Sequence, residues 1–152
     1  MRFHSKRERS AEPLNLPFLL VGNVAISSNK YAVTEGLDIV PCPSSERALG
    51  LLRAGTCYQA VFSDLSISDA DGIEFVQRVC REFPELPVVI VTEPQDIKFG
   101  IMAMLFGASD CIQKPVHPSL ILASLNRARR RKHIERNSMR RETEEELRAC
   151  AF

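Results

Sequence analysis

Short apolar runs alternate along this chain with segments whose apolar residues recur at helical spacing, and that rhythm constrains the fold more than any other feature. Such alternation is the mark of βα units and of a parallel sheet covered by helices on both faces. Phe18–Val21 reads as a first buried strand, and residues 27–35 follow as a short helix with Ser27 or Ser28 as its cap. Leu37–Val40 reads as a second strand, stopped by Pro41 and Pro43. Ser44 or Ser45 caps a helix over 44–54, where Ala48, Leu51 and Leu52 share a face and Gly55 ends it. Ala60–Phe62 is the core of a third strand that delivers Asp64 at its C-terminal end.

The second half repeats the pattern. Ile73, Val76 and Val79 fit a helix over 73–82, and Val88–Val91 is the clearest buried strand in the chain. A fourth predicted helix (96–106) ends at Gly107, a fifth strand covers 110–113, and a fifth helix starts at Pro118 with Leu120, Ile121, Leu125 and Ala128 inward. Beyond Ala128 the apolar stripe fades into Arg and Glu, which predicts a charged helical extension or linker over 131–152. Sustained a/d heptads are absent there, so a solvated helix is expected rather than a coiled coil.

Charge is uneven. Residues 1–10 sum to +3, 11–126 to −6 and 127–152 to +4, within a net charge of +1. Basic ends can meet polyanions, and Arg127–Lys132 is the candidate segment, but such tails are usually solvated and nucleic-acid binding by this chain alone is not expected. No apolar run approaches the length needed to cross a bilayer, and Pro13, Pro17 and Gly22 interrupt the one stretch that resembles a leader, so no membrane partner is expected. The five cysteines are odd in number and lack C-x-x-C spacing; reduced thiols in a cytoplasmic protein are the expectation.

Parallel open sheets carry their functional crevice at the carboxyl ends of the strands. Asp64 follows the third strand, Thr92 the fourth and Lys114 the fifth. A carboxylate can attack phosphorus to give an acyl phosphate, while a hydroxyl and an ammonium can receive the phosphoryl oxygens and offset their charge. Each residue alone has a structural explanation, as a turn cap, a strand end or a surface lysine. Three together at one rim favour the chemical reading.

From about Pro17 to Lys132 the sequence resembles response-regulator receiver domains. The matching stretches are Ala60-Val61-Phe62-Ser63-Asp64, Asp71-Gly72, Val88–Thr92, Gly107-Ala108-Ser109-Asp110 and Gln113-Lys114-Pro115. The resemblance implies a flavodoxin-like, doubly wound five-stranded parallel sheet of order 2-1-3-4-5, with a basic tail over 1–16 and the receiver over 17–130. It implies phosphorylation of Asp64, phosphoryl binding by Thr92 and Lys114, a cis Lys114–Pro115 bond, and a histidine kinase or phosphotransfer protein as partner. It also suggests a homodimer through the face made by the fourth helix, fifth strand and fifth helix.

The sequence departs from that family where the metal binds. Receivers place two adjacent acids after the first strand, and with the phosphoacceptor these hold Mg²⁺; here Gly22-Asn23 stands there. Asp64, the backbone carbonyl of Ser66 and the Asn23 amide remain, so the Mg²⁺ site is expected to be weak or absent. Losing the acids also removes like-charge repulsion of roughly 4 kcal/mol per pair at 4 Å and an effective dielectric near 20. Lys114 and Asp64 are then free to pair without metal. Glu93 replaces the small residue that usually follows the Thr, where it would cover the pocket, repel phosphate or replace a metal ligand. Ser68 replaces a Pro, and Cys111 replaces the aromatic switch residue. The expectation is therefore an atypical receiver in two-component or phosphorelay signalling. A phosphorylation-independent pseudo-receiver serving as a protein interaction module is the alternative. An enzyme on this scaffold is not expected, for there is no Gly-rich phosphate loop, and His4, His117 and His133 form no triad with a nucleophile.

Overall fold

The computed structural model describes residues 16–26 and 37–150. The first predicted helix (27–35) and nearly all of the basic tail lie outside the described residues.

Phe18–Val21 and Val88–Val91 are too short for a helix and suit strands buried on both sides, and every residue of both is buried. They form β1 (Phe18–Val21) and β6 (Val88–Thr92), and β2 (Ile39–Cys42), β3 (Val61–Asp64) and β7 (Asp110–Gln113) complete the sheet. All pair in parallel, in the order β2-β1-β3-β6-β7, which is the doubly wound order expected. A small antiparallel pair, β4 (Ser66–Ile67) and β5 (Ala70–Asp71), sits in the loop after β3. That pair was not predicted, since two-residue strands carry no periodicity.

Side-chain alternation divides each strand between two cores. Leu19, Val21, Val61, Val88 and Ile90 pack against helices α1 (Ser45–Arg53), α2 (Gly72–Glu82) and α3 (Ile97–Leu105). Phe18, Leu20, Phe62, Val89 and Val91 face the other way, onto Ile121, Leu125 and Ala128 of α4 (Pro118–Cys150). Phe18 and Phe62 meet edge to face in that second core, with ring centroids 5.7 Å apart.

The second strand differs from expectation: it runs through Pro41 instead of stopping there. Among the described residues β2 is an outer strand that pairs only with β1, so a residue without an N–H is tolerated when that position faces away from the ladder. Gly55 ends α1 as expected. It takes a φ of +86°, and its N–H and that of Thr56 reach back to the carbonyls of Leu52 and Leu51.

Helix α4 is the longest element. Its buried residues end at Ala128, and from residue 133 to 150 every side chain is exposed. At 1.5 Å per residue that portion is about 27 Å long. Arg136 ties its base to Glu85, and Arg140 pairs with Glu144 one turn on.

Candidate functional site

The parallel register brings the ends of β3, β6 and β7 to one rim, with Asp64 opposite Val91 and Thr92 opposite Gln113. Asp64 is the last residue of β3 and is 8% exposed; Thr92 ends β6 and is fully buried; Lys114 directly follows β7, and its peptide bond to Pro115 is cis. The Lys114 backbone N–H donates to the Thr92 carbonyl at 2.8 Å, which fastens the two strand ends together.

The side chains of Asp64 and Lys114 meet. Lys114 Nζ donates to Asp64 Oδ2 at 3.0 Å, and the Ser66 backbone N–H reaches Asp64 Oδ1 at 3.3 Å. Lys114 Nζ also lies 3.1 Å from Glu93 Oε1. Burial by itself pulls the lysine down, but hydrogen bonding and attraction from Asp64 and Glu93 together prevail and hold it above the ordinary lysine range. Thr92 is placed at the rim, but its hydroxyl donates to the Glu93 carbonyl at 2.6 Å and not toward Asp64.

The loop after Asp64 is pinned at three places. A Cβ on Gly72 would lie 2.5 Å from the Leu65 carbonyl oxygen, so only glycine permits the chain to turn back there. Asp71 caps α2, accepting from the Ile73 N–H. Asp69 reaches across to α1, where it accepts from the Ser45 N–H at 2.9 Å, the Ser45 hydroxyl at 2.8 Å and the Glu46 N–H at 3.2 Å. These bonds, led by the one from the Ser45 backbone, hold the Asp69 carboxyl below the usual range. Sequence reasoning assigned Asp69 no role. Its partners lie more than twenty residues away, and no local pattern announces them.

Where an acidic residue would supply a metal ligand, the chain has Gly22 with φ +91°. A Cβ there would lie 2.9 Å from Asp64 Cβ, closer than real Cβ contacts. The backbone therefore approaches Asp64 too closely for a side chain at this position. Asn23 beside it is exposed, and among the described residues no group of three His, Cys, Asp or Glu side chains is arranged to hold a metal ion.

Gly100 marks a second close approach. A Cβ on it would lie 2.4 Å from Cys111 Sγ and 2.6 Å from Thr92 Cγ2, so α3 sits directly on both residues. Burial, with a smaller contribution from the Asp110 carboxylate, pushes the Cys111 thiol up to about 11. The outer face of α3 and its end leave Phe99, Ile101, Met102, Leu105 and Phe106 exposed, Leu105 at 84%.

Comparison with known proteins matches the response regulator receiver domain model over residues 24–126. The chain is 34% identical over 111 residues to the C4-dicarboxylate transport transcriptional regulatory protein DctD of Rhizobium meliloti, covering 72% of this chain and 24% of that protein. It is 26% identical over 102 residues to the sensory transduction protein LytT of Oceanobacillus iheyensis, covering 66% and 42%. The chain thus spans less than half the length of these curated relatives. A response regulator receiver domain protein from Clostridium thermocellum superposes with a TM-score of 0.65 at 21% identity, over 78% of this chain and 98% of that one. The strand order, the rim that joins Asp64 to Lys114 and a family match across most of the chain lead to one assignment: this chain belongs to the response regulator receiver domain family.

Proposed function

We propose that the chain receives a phosphoryl group on Asp64 in two-component or phosphorelay signalling, through a site that no longer depends on an ordinary Mg²⁺ ion. The 3.0 Å contact between Lys114 Nζ and Asp64 Oδ2 carries this reading. In the transfer, an Asp64 oxygen forms a bond to phosphorus while the bond from phosphorus to the donor breaks, the donor's imidazole nitrogen leaving with the bonding pair (with acetyl phosphate, the bridging oxygen leaves instead). Lys114 offsets the incoming charge, and Thr92 supplies a second donor once its hydroxyl turns from the Glu93 carbonyl.

The residues present do not fit a resident Mg²⁺. Asp64 is the one carboxylate of the expected set, and it is already held by Lys114; the Ser66 carbonyl and the Asn23 amide add neutral oxygens only. The close approach of Gly22 to Asp64 supports the same view, because it leaves no room for the missing acid. The phosphodonor is a histidine kinase or phosphotransfer protein, as for receivers in general.

The apolar face of α3 supports a homodimer through α3, β7 and α4. Its five exposed side chains, Phe99, Ile101, Met102, Leu105 and Phe106, form one apolar patch that a second copy would cover.

The test is intact-mass analysis after acetyl phosphate treatment, with and without Mg²⁺ and with Asp64→Ala as control. Slow labelling that disappears in the variant and changes little with Mg²⁺ is expected. Rapid, stoichiometric, Mg²⁺-dependent labelling would overturn the metal-weak reading. The contact of Glu93 with Lys114 favours a second reading, a pseudo-receiver that acts by protein contact alone; complete absence of labelling supports it.

A further inference from the structure

We propose that Glu93 is a built-in competitor for the phosphoryl oxyanion, so that its carboxylate gates entry of phosphate to Lys114. The inference rests on reading Asp64 and Lys114 as the phosphoryl site and adds the residue that regulates it.

Three observations carry it. First, Glu93 Oε1 lies 3.1 Å from Lys114 Nζ while Asp64 Oδ2 lies 3.0 Å from the same nitrogen. The ammonium therefore already serves two carboxylates, and the second occupies a direction that a phosphoryl oxygen would need. Second, the Thr92 hydroxyl donates to the carbonyl of Glu93, so the other donor at the rim is also turned toward this residue. Third, Gly22 closes the position from which a metal-binding acid would act, and Asn23 adds no charge. With one ammonium and two carboxylates the rim carries a formal −1 before any phosphate arrives. An oxyanion must displace Glu93 from Lys114 and then tolerate it nearby.

Glu93 is well suited to such displacement. Its side chain is 46% exposed, against 21% for Lys114. Exposed ion pairs are weak. The carboxylate can swing into water without leaving a buried charge behind, whereas Asp64, at 11%, cannot. Glu93 thus acts as a reversible plug and Asp64 as the fixed partner.

The experiment compares the full chain with Glu93→Gln and Glu93→Ala. Glutamine keeps the bulk and removes the charge; alanine removes both. Inorganic phosphate is titrated while the Lys114 side-chain signals are followed by NMR, and acetyl phosphate labelling is followed by intact mass. Phosphate is expected to move the Lys114 signals at about fivefold lower concentration in Glu93→Gln, and labelling is expected to accelerate about fivefold in Glu93→Ala. Phosphate responses equal to those of the unmodified chain in both variants would overturn the proposal, as would Lys114 signals that phosphate never moves. Asp64→Ala combined with Glu93→Ala separates the two readings. If label persists in that double variant, Asp64 is not the acceptor, while the phosphate titration still reports on Glu93.

Discussion

Lys114 Nζ lies 3.0 Å from Asp64 Oδ2, from a strand end two positions away in the sheet and fifty residues along the chain. Both side chains are largely out of water, so removing one leaves the other poorly compensated. Lys114→Met should cost about 2 kcal/mol, less than a fully buried pair because the lysine keeps some exposure. Asp64→Asn in the same background should restore part of that loss. Urea unfolding of the four proteins in the cycle measures the coupling, and strictly additive effects would show that the contact contributes nothing.

Restoring the missing acid should fail. Gly22→Asp places a side chain at φ +91° with its Cβ 2.9 Å from Asp64 Cβ. Backbone strain and overlap together predict a loss of about 2 kcal/mol or more. Calorimetric titration with Mg²⁺ should show no gain in affinity over the unmodified chain. Tight Mg²⁺ binding by this variant would mean that the backbone can open at Gly22.

The parts of the fold that rest on local pattern were legible in the sequence. Val88–Val91 and Asp110–Gln113 announce themselves as strands, and Gly55 announces the end of α1. The rim of Asp64, Thr92 and Lys114 followed from placing each after a strand. What stayed hidden depends on distances between segments remote in sequence. Nothing near Asp69 shows that it will cap a helix beginning at Ser45, and nothing near Gly100 shows that it will rest on Cys111. The orientation of the Thr92 hydroxyl was equally unreadable, since it is decided by one backbone carbonyl next door.

Asp69 makes stability depend on acid. Its carboxyl titrates below the usual range in the folded chain, so its contribution is complete above the unfolded value, near 3.9, and is lost as pH falls through the folded value. Asp69→Ala should cost about 1–2 kcal/mol at neutral pH, as for loss of a helix cap. The gap between the two proteins should narrow below about pH 4. Chemical denaturation at pH 7 and pH 3 tests this, and a gap independent of pH would remove Asp69 from the account.

The α3 face predicts concentration-dependent association. Ile101→Lys with Leu105→Lys places two charges one turn apart on exposed positions. Folding stability should change by no more than about 0.5 kcal/mol, because neither side chain is buried. Sedimentation should find a dimer for the unmodified chain and a monomer for the double variant. A monomer in both cases would leave the α3 face without a second copy as its occupant.

Gly100 sets two known effects against each other. In an exposed helix, replacing Gly by Ala gains close to 1 kcal/mol of helix propensity. Here the added methyl would meet Cys111 Sγ at 2.4 Å and Thr92 Cγ2 at 2.6 Å, and both belong to buried or half-buried side chains with little freedom to withdraw. Overpacking of this kind costs about 1–3 kcal/mol, so Gly100→Ala should destabilise on balance, with α3 lifting from the sheet as the route of relief. Cys111→Ala in the same chain removes the nearer obstacle and should recover part of the loss, while leaving the contact with Thr92 in place. Thermal unfolding of the single and double variants measures both steps. If Gly100→Ala proves as stable as the parent, α3 is free to shift over Thr92, and the tight seating of that helix on the strand ends would have to be abandoned.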